Sequence, residues 1–116
     1  MRIEVKGRNL PVSEDLREHV AKRFQKVARQ VSELAELEVE LFEERNPAIA
    51  DSQVAEVTLH LKGVTLRARD ASRDIVHSIN LCSDELSRQV KRHREKRRKR
   101  REARAAAAKP PASSAA

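Results

Sequence analysis

The chain contains no tryptophan, no tyrosine and only two phenylalanines, Phe24 and Phe42. That excludes an RNA-binding sheet of the RRM type, which stacks bases on paired aromatics. A single cysteine, Cys82, permits neither an internal disulfide nor a Cys-based zinc cage, and points to a reducing, intracellular setting. Gly7 and Gly63 are the only glycines, too few for a Walker loop or a dinucleotide fingerprint. His19, His60, His77 and His93 lack the spacing of paired helical metal ligands, so no metal site is expected. Nowhere do 18 apolar residues run together, and Met1 to Lys6 lack the apolar core of a signal peptide. The protein is expected to be soluble and cytoplasmic, without cofactor, small-molecule substrate, membrane partner or enzymatic activity.

What the chain does have is charge. Of its 116 residues 37% are charged, and the net charge is +7. The distribution is uneven. Residues 1–87 hold thirteen Lys/Arg and sixteen Asp/Glu, whereas Arg88 to Arg104 hold eleven Lys/Arg against Glu95 and Glu102. A block of this density repels itself and is stabilised by a polyanion, since each neutralised phosphate releases condensed counterions. Lys91 to Arg104 offers almost no apolar face to a membrane surface. A nucleic acid is therefore the favoured partner.

The apolar periodicity predicts a small α+β domain. Ile3 and Val5 alternate with Arg2, Glu4 and Lys6 as a half-buried strand. Ser13 can cap a helix whose stripe is Leu16, Val20, Phe24, Val27 and Val31, flanked by Lys22, Lys26 and Arg29 with Arg23 at its edge. Leu37, Val39 and Leu41 mark a second strand with glutamates between them, predicted to form a solvated outer face opposite Arg67 or Arg69. Arg45 to Ser52 reads as a loop, and Val57 to Leu61 and Val64 to Ala68 as a hairpin turning at Gly63. Ser72 or Asp70 can cap a last helix with the stripe Ile75, Ile79, Cys82, Leu86 and Val90. Cys82 on that stripe reads as a small hydrophobe. Past Val90 the helix should run into the basic block and fray, and residues 105–116, rich in Ala, Pro and Ser, should be disordered. The expected architecture is β-α-β-β-β-α: a four-stranded mixed sheet, the first pair parallel and the rest an antiparallel meander, with both helices on one face.

An ordered set of residues resembles the ribosome hibernation promoting factors, also called ribosome-associated inhibitors. It comprises Ile3-x-Val5-x-Gly7-Arg8-Asn9, Ser13-x-x-Leu16-Arg17-Glu18-x-Val20, Phe24-x-Lys26-Val27, Ala55-x-Val57-Thr58-Leu59-His60-Leu61, and Asp74-Ile75-x-x-Ser78-Ile79-Asn80 followed by Leu86-x-Arg88-Gln89-x-x-x-His93. The resemblance spans residues 1–96. It implies a fold similar to a double-stranded-RNA-binding domain, docked on 16S rRNA of the small ribosomal subunit where mRNA and tRNA pass. It also implies a mechanism of steric exclusion that keeps idle ribosomes inactive and intact during stress or stationary phase. The positions matching the family's rRNA-facing residues are Arg23, Lys26, Arg88, Lys91, Arg92 and Lys96. By the same resemblance residues 1–96 form the ribosome-binding domain and 97–104 a basic helical extension.

Three departures from the family pattern stand out. Ile75 and Val76 replace a frequent Met-Tyr, Glu85 replaces a frequent Lys, and a second, dimerising domain is not recognised after residue 104. The resemblance therefore implies a short form, or a shortened long one, that does not pair ribosomes unaided. Two alternatives remain open from the sequence. One is a general RNA- or DNA-binding module acting through its basic C-terminal arm. The other is a protein-binding transcription regulator, suggested by the family's older description as modulators of an alternative sigma factor.

Overall fold

The computed structural model describes residues 1–46 and 48–108. Four strands, β1 (Arg2–Arg8), β2 (Glu36–Glu43), β3 (Gln53–Leu61) and β4 (Val64–Ser72), form one sheet in the order β1-β2-β3-β4. β1 runs parallel to β2, with Val5 opposite Val39. β2 to β4 form an antiparallel meander, with Val39 opposite Val57 and Val57 opposite Ala68. Helices α1 (Glu14–Arg23), α2 (Gln25–Ala28) and α3 (Ile75–Ala108) cover one face. The expected topology and fold class are those observed.

The core is the meeting of the strands' alternate residues with the helical stripes. Leu37, Val39, Leu41, Ala55, Val57 and Leu59 pack against Val20, Phe24 and Val27 and against Ile79, Cys82, Leu86 and Val90. Cys82 donates its thiol to the Ala55 carbonyl at 3.1 Å. Burial, with Asp70 as a further cause, pushes its pKa up to about 12, so at neutral pH it is an uncharged core group.

Two local devices fix how the helices meet the sheet. At Gly7 a Cβ would strike the Leu10 carbonyl oxygen and lie 2.7 Å from Val12 Cγ2, so only glycine lets the chain fold back at the end of β1 towards α1. At the other hairpin Lys62 and Gly63 join β3 to β4, and Gly63 takes φ +81°.

Three details depart from the sequence expectation. The first helix does not run unbroken to Val31. It stops at Arg23, Phe24 takes φ −88° and ψ 3°, and a four-residue α2 follows. The Val27 amide turns to the Phe24 carbonyl at 3.1 Å, and the Arg23 carbonyl accepts the Ser83 hydroxyl of α3 at 3.1 Å instead. A side chain from the neighbouring helix thus takes over a backbone acceptor, a contact that local periodicity does not encode. The last helix is capped by neither Ser72 nor Asp70. Asp74 caps it, its carboxylate accepting from the Val76 amide at 3.1 Å, while Ser72 receives the Asp74 amide at 3.2 Å. Finally, α3 runs past Val90 as expected but reaches Ala108, 34 residues in all, so 105–108, expected to be disordered, are helical; residues 109–116 lie outside the described residues.

At 1.5 Å per residue α3 is about 50 Å long, and the molecule measures 75 × 29 × 18 Å. From Arg94 to Ala108 every residue is exposed. The basic block is therefore a helical arm continuous with a core element. The outer sheet face carries Glu36, Glu38 and Glu40, with Glu4 opposite Glu38 and Glu56 opposite Glu40. Arg69 relieves it at one edge, lying 3.4 Å from Glu44 and 3.5 Å from Glu56; Arg67 faces Thr58 instead. Phe42 and Val54 are buried on this same outer face, Phe42 beneath the Arg8 guanidinium at 4.4 Å.

Candidate nucleic-acid interface

The six predicted rRNA-facing residues occupy two neighbouring places on the helical side. Arg23 at the end of α1 and Lys26 on α2 converge on Asp84 of α3. Lys26 Nζ donates to Asp84 Oδ1 at 2.8 Å and Arg23 Nη2 donates to the same oxygen at 3.2 Å. The break at Phe24 brings both cations to one carboxylate. His19 lies one turn earlier in this seam, 2.8 Å from Asn80 Oδ1. Arg23 is half-buried and its Nε has no partner among the described residues.

Arg88, Lys91, Arg92 and Lys96 follow on the exposed side of α3. Two of them are already held. Glu85 Oε2 accepts Arg88 Nη2 at 2.8 Å and Nε at 3.1 Å, and Arg92 Nη2 lies 3.6 Å from Glu85 Oε1. Gln89 links this group to the sheet, donating to the Arg67 carbonyl at 2.7 Å and to Glu85 at 3.3 Å. Arg92 and Lys96 line a shallow groove between α3 and β4, with Val64 and Leu66 on the strand side. Lys91 lies on the opposite flank, beside Gln30.

Asp84 is the residue that sequence reasoning missed, and Glu85 stands out there only as a departure from the family pattern, not as the partner of Arg88 and Arg92. A Glu three residues before an Arg on a helix is a legible signal for the Glu85–Arg88 pair. The Asp84 pairs join residues about 60 apart in the chain, and nothing local announces them. Both acids sit among the six cations and hold four of them in fixed positions while offsetting part of their charge.

The hydrogen bond from Lys26 holds the Asp84 carboxyl below its ordinary pKa of 3.8, against the opposing effect of burial. That from Arg88 does the same for Glu85, ordinarily 4.5. A carboxyl whose pKa is depressed by folding adds stability above its unfolded pKa and loses it as pH falls through the folded value. Asp84→Asn should therefore lower Tm at pH 7, and the difference should shrink as pH falls below 3.8. Thermal melts across that range check this, and an equal Tm difference at both ends would contradict it.

Among the described residues no group of three His, Cys, Asp or Glu side chains is placed to hold a metal ion, and no helix is long and apolar enough to cross a membrane. A cationic helical face backed by a sheet whose outer side carries as many cations (Arg2, Lys6, Arg8, Arg67 and Arg69) as carboxylates (Glu4, Glu36, Glu38, Glu40 and Glu56) is suited to bind a polyanion from the helical side. The sequence profile of the family described as sigma 54 modulation protein / S30EA ribosomal protein matches residues 3–98. The chain belongs to this family.

Within the family the chain is 31% identical over 97 residues to a ribosome hibernation promotion factor of Picosynechococcus, covering 83% of this chain and 50% of that protein. It is 30% identical over 96 residues to the ribosome hibernation promoting factor of Salmonella typhimurium, covering 83% of this chain and 96% of that protein. The chain thus spans half the length of one S30EA-family relative and nearly all of another. The fold resembles the crystal structure of the Thermus thermophilus Protein Y N-terminal domain, with TM-score 0.70, 26% identity, and coverage of 80% of this chain and 99% of that one. A ribosomal subunit interface protein from Coxiella burnetii shares the fold at TM-score 0.70 and 18% identity, over 82% of this chain and 99% of that one. The family match ends at residue 98, within α3.

Proposed function

We propose that this chain is a ribosome hibernation factor of the cytoplasm. It binds 16S rRNA in the decoding channel of the small subunit and blocks mRNA and tRNA by occupying their place, without chemistry. Arg23, Lys26, Arg88, Lys91, Arg92 and Lys96 are the proposed rRNA contacts, residues 1–96 the ribosome-binding domain and 97–104 its basic extension. The carrying observation is the likeness to the Salmonella ribosome hibernation promoting factor over 96% of that protein. The cationic face, set on a body with more acids than bases, fits this role independently.

The physical division of labour is simple. Phosphates would compete with Asp84 and Glu85 for cations that the fold has already positioned, so less side-chain entropy is lost on binding. The outer sheet face, where five carboxylates are matched by five Lys/Arg, would offer phosphates no net attraction, which favours docking through the helical side. Cosedimentation of the purified protein with 30S, 50S and 70S particles at two salt concentrations tests the assignment. Comigration with 30S and 70S that survives moderate salt is expected, with none on 50S. Equal, salt-labile association with all three particles would overturn it in favour of a general polyanion binder.

A further inference from the structure

The part of α3 beyond the body has a second cationic surface, which shares Lys91 alone with the six proposed contacts. Arg94, Arg97 and Arg101 are spaced three and four apart, so they lie along one side of the helix, with Arg98 beside them. These four, with Lys91 and Glu95, line a cleft closed on the other side by Gln30, in the connection that follows α2. Arg94 Nη1 lies 3.5 Å from Gln30 Oε1, at the junction of arm and body. The opposite flank of α3 faces β4 through Arg92, His93 and Lys96. One helix therefore separates two basic grooves.

The charge in the Gln30 cleft is scarcely neutralised from within. Its lining holds five cations and one carboxylate. Arg98 has a partner in Glu102 at 3.7 Å, but both side chains are 69% exposed and the pair contributes little. The arm makes no core contact, so packing does not account for this concentration of arginine. Planar guanidinium groups pair with phosphate in bidentate fashion, which a lysine cannot do. The cleft holds no aromatic to stack an unpaired base, and Gln30 is its only neutral polar side chain. Its chemistry suits the phosphates of a duplex, bound without sequence preference.

We infer that the cleft between Gln30 and the arm, through Arg94, Arg97, Arg98 and Arg101, is a second binding site for the phosphate backbone of double-stranded RNA. It meets the small-subunit contacts proposed above at Lys91, but its four arginines are not among them and its binding does not depend on them. The continuous helix holds the site in a fixed direction from the body, so bound duplex would lie alongside the domain rather than trail from a tether.

The test is fluorescence anisotropy of the full chain with a labelled 20-base-pair RNA duplex of arbitrary sequence, alongside the variant R94Q/R97Q/R98Q/R101Q. The variant should bind the duplex at least tenfold more weakly, and its slope of log K against log salt should be shallower by about 3 to 4. Its melting temperature should change little, since the four side chains are exposed and the Arg94–Gln30 contact that is lost is a long, exposed one. Unchanged duplex affinity would overturn the proposal, as would equally tight binding of a poly-glutamate peptide, which would mean undiscriminating charge attraction. Particle binding is read separately. If the variant loses the duplex but still comigrates with 30S, the second site stands apart from the small-subunit reading; if the wild type binds duplex and no 30S, that reading alone fails.

Discussion

Phe24→Ala should unfold much of the molecule's margin of stability. The ring is fully buried where α1, α2 and α3 meet the sheet. Truncating a buried Phe costs about 3–5 kcal/mol through lost burial and the cavity left behind, against a total of about 5–15 kcal/mol for a domain. The expected fall in Tm is on the order of 15–30 °C. Phe24→Leu, which keeps most of the volume, should fall by less than half as much. The effect reaches the interface, because Phe24 also sets the break that aims Arg23 and Lys26 at Asp84. Circular-dichroism melts decide the matter, and a drop under 5 °C for Phe24→Ala would show that the helices are not held as described.

The second large effect is electrostatic. If six phosphates are engaged, affinity for 30S particles should fall about 250- to 1,000-fold between 50 and 200 mM salt, a log–log slope of about −4 to −5. Replacing Arg23, Lys26, Arg88, Lys91, Arg92 and Lys96 with Gln should remove most of that slope and lower affinity on the order of a thousandfold at 0.1 M salt. Asp84 and Glu85 temper the loss, because four of the cations must leave a carboxylate to meet phosphate. For the same reason Glu85→Gln should tighten binding. Filter binding across a salt series measures both, and an unchanged slope in the sixfold variant would place the contacts elsewhere.

Much of the fold was written in short-range pattern. Period-two alternation in Ile3 to Val5, Leu37 to Leu41 and Val57 to Leu61 gave strands facing one core, and the stripes from Leu16 and Ile75 gave the helices that cover it. What escaped was non-local. The Ser83 hydroxyl that takes the Arg23 carbonyl lies 60 residues away, so the break at Phe24 could not be seen in the stripe it interrupts. The cap at Asp74 escaped for a different reason: three polar residues near the start of α3 each qualify, and only the path out of β4 selects among them. The arm was expected to fray because its apolar period stops at Val90, yet Ala, Arg, Lys and Glu favour helix without any packing.

The interface was legible in its cations and illegible in its anions. Eleven Lys/Arg between Arg88 and Arg104 announce a polyanion from composition alone. That Asp84 gathers Arg23 and Lys26 depends on how α3 packs against α1 and α2, whereas Glu85 gathers Arg88 and Arg92 within α3 itself. These acids turn a diffuse basic patch into one with set positions and reduced net charge. That difference separates the proposed rRNA site from the arm's Gln30 cleft, where the cations outnumber the acid five to one.

The most direct test of steric exclusion is competition on the small subunit. Initiator tRNA and a short mRNA are bound to 30S particles, and the protein is titrated in while tRNA release is followed by filter binding. Displacement of tRNA in step with protein binding, and failure of prebound protein to admit tRNA, is the predicted result. Protein and tRNA occupying the same particle, each with undiminished affinity, would contradict it.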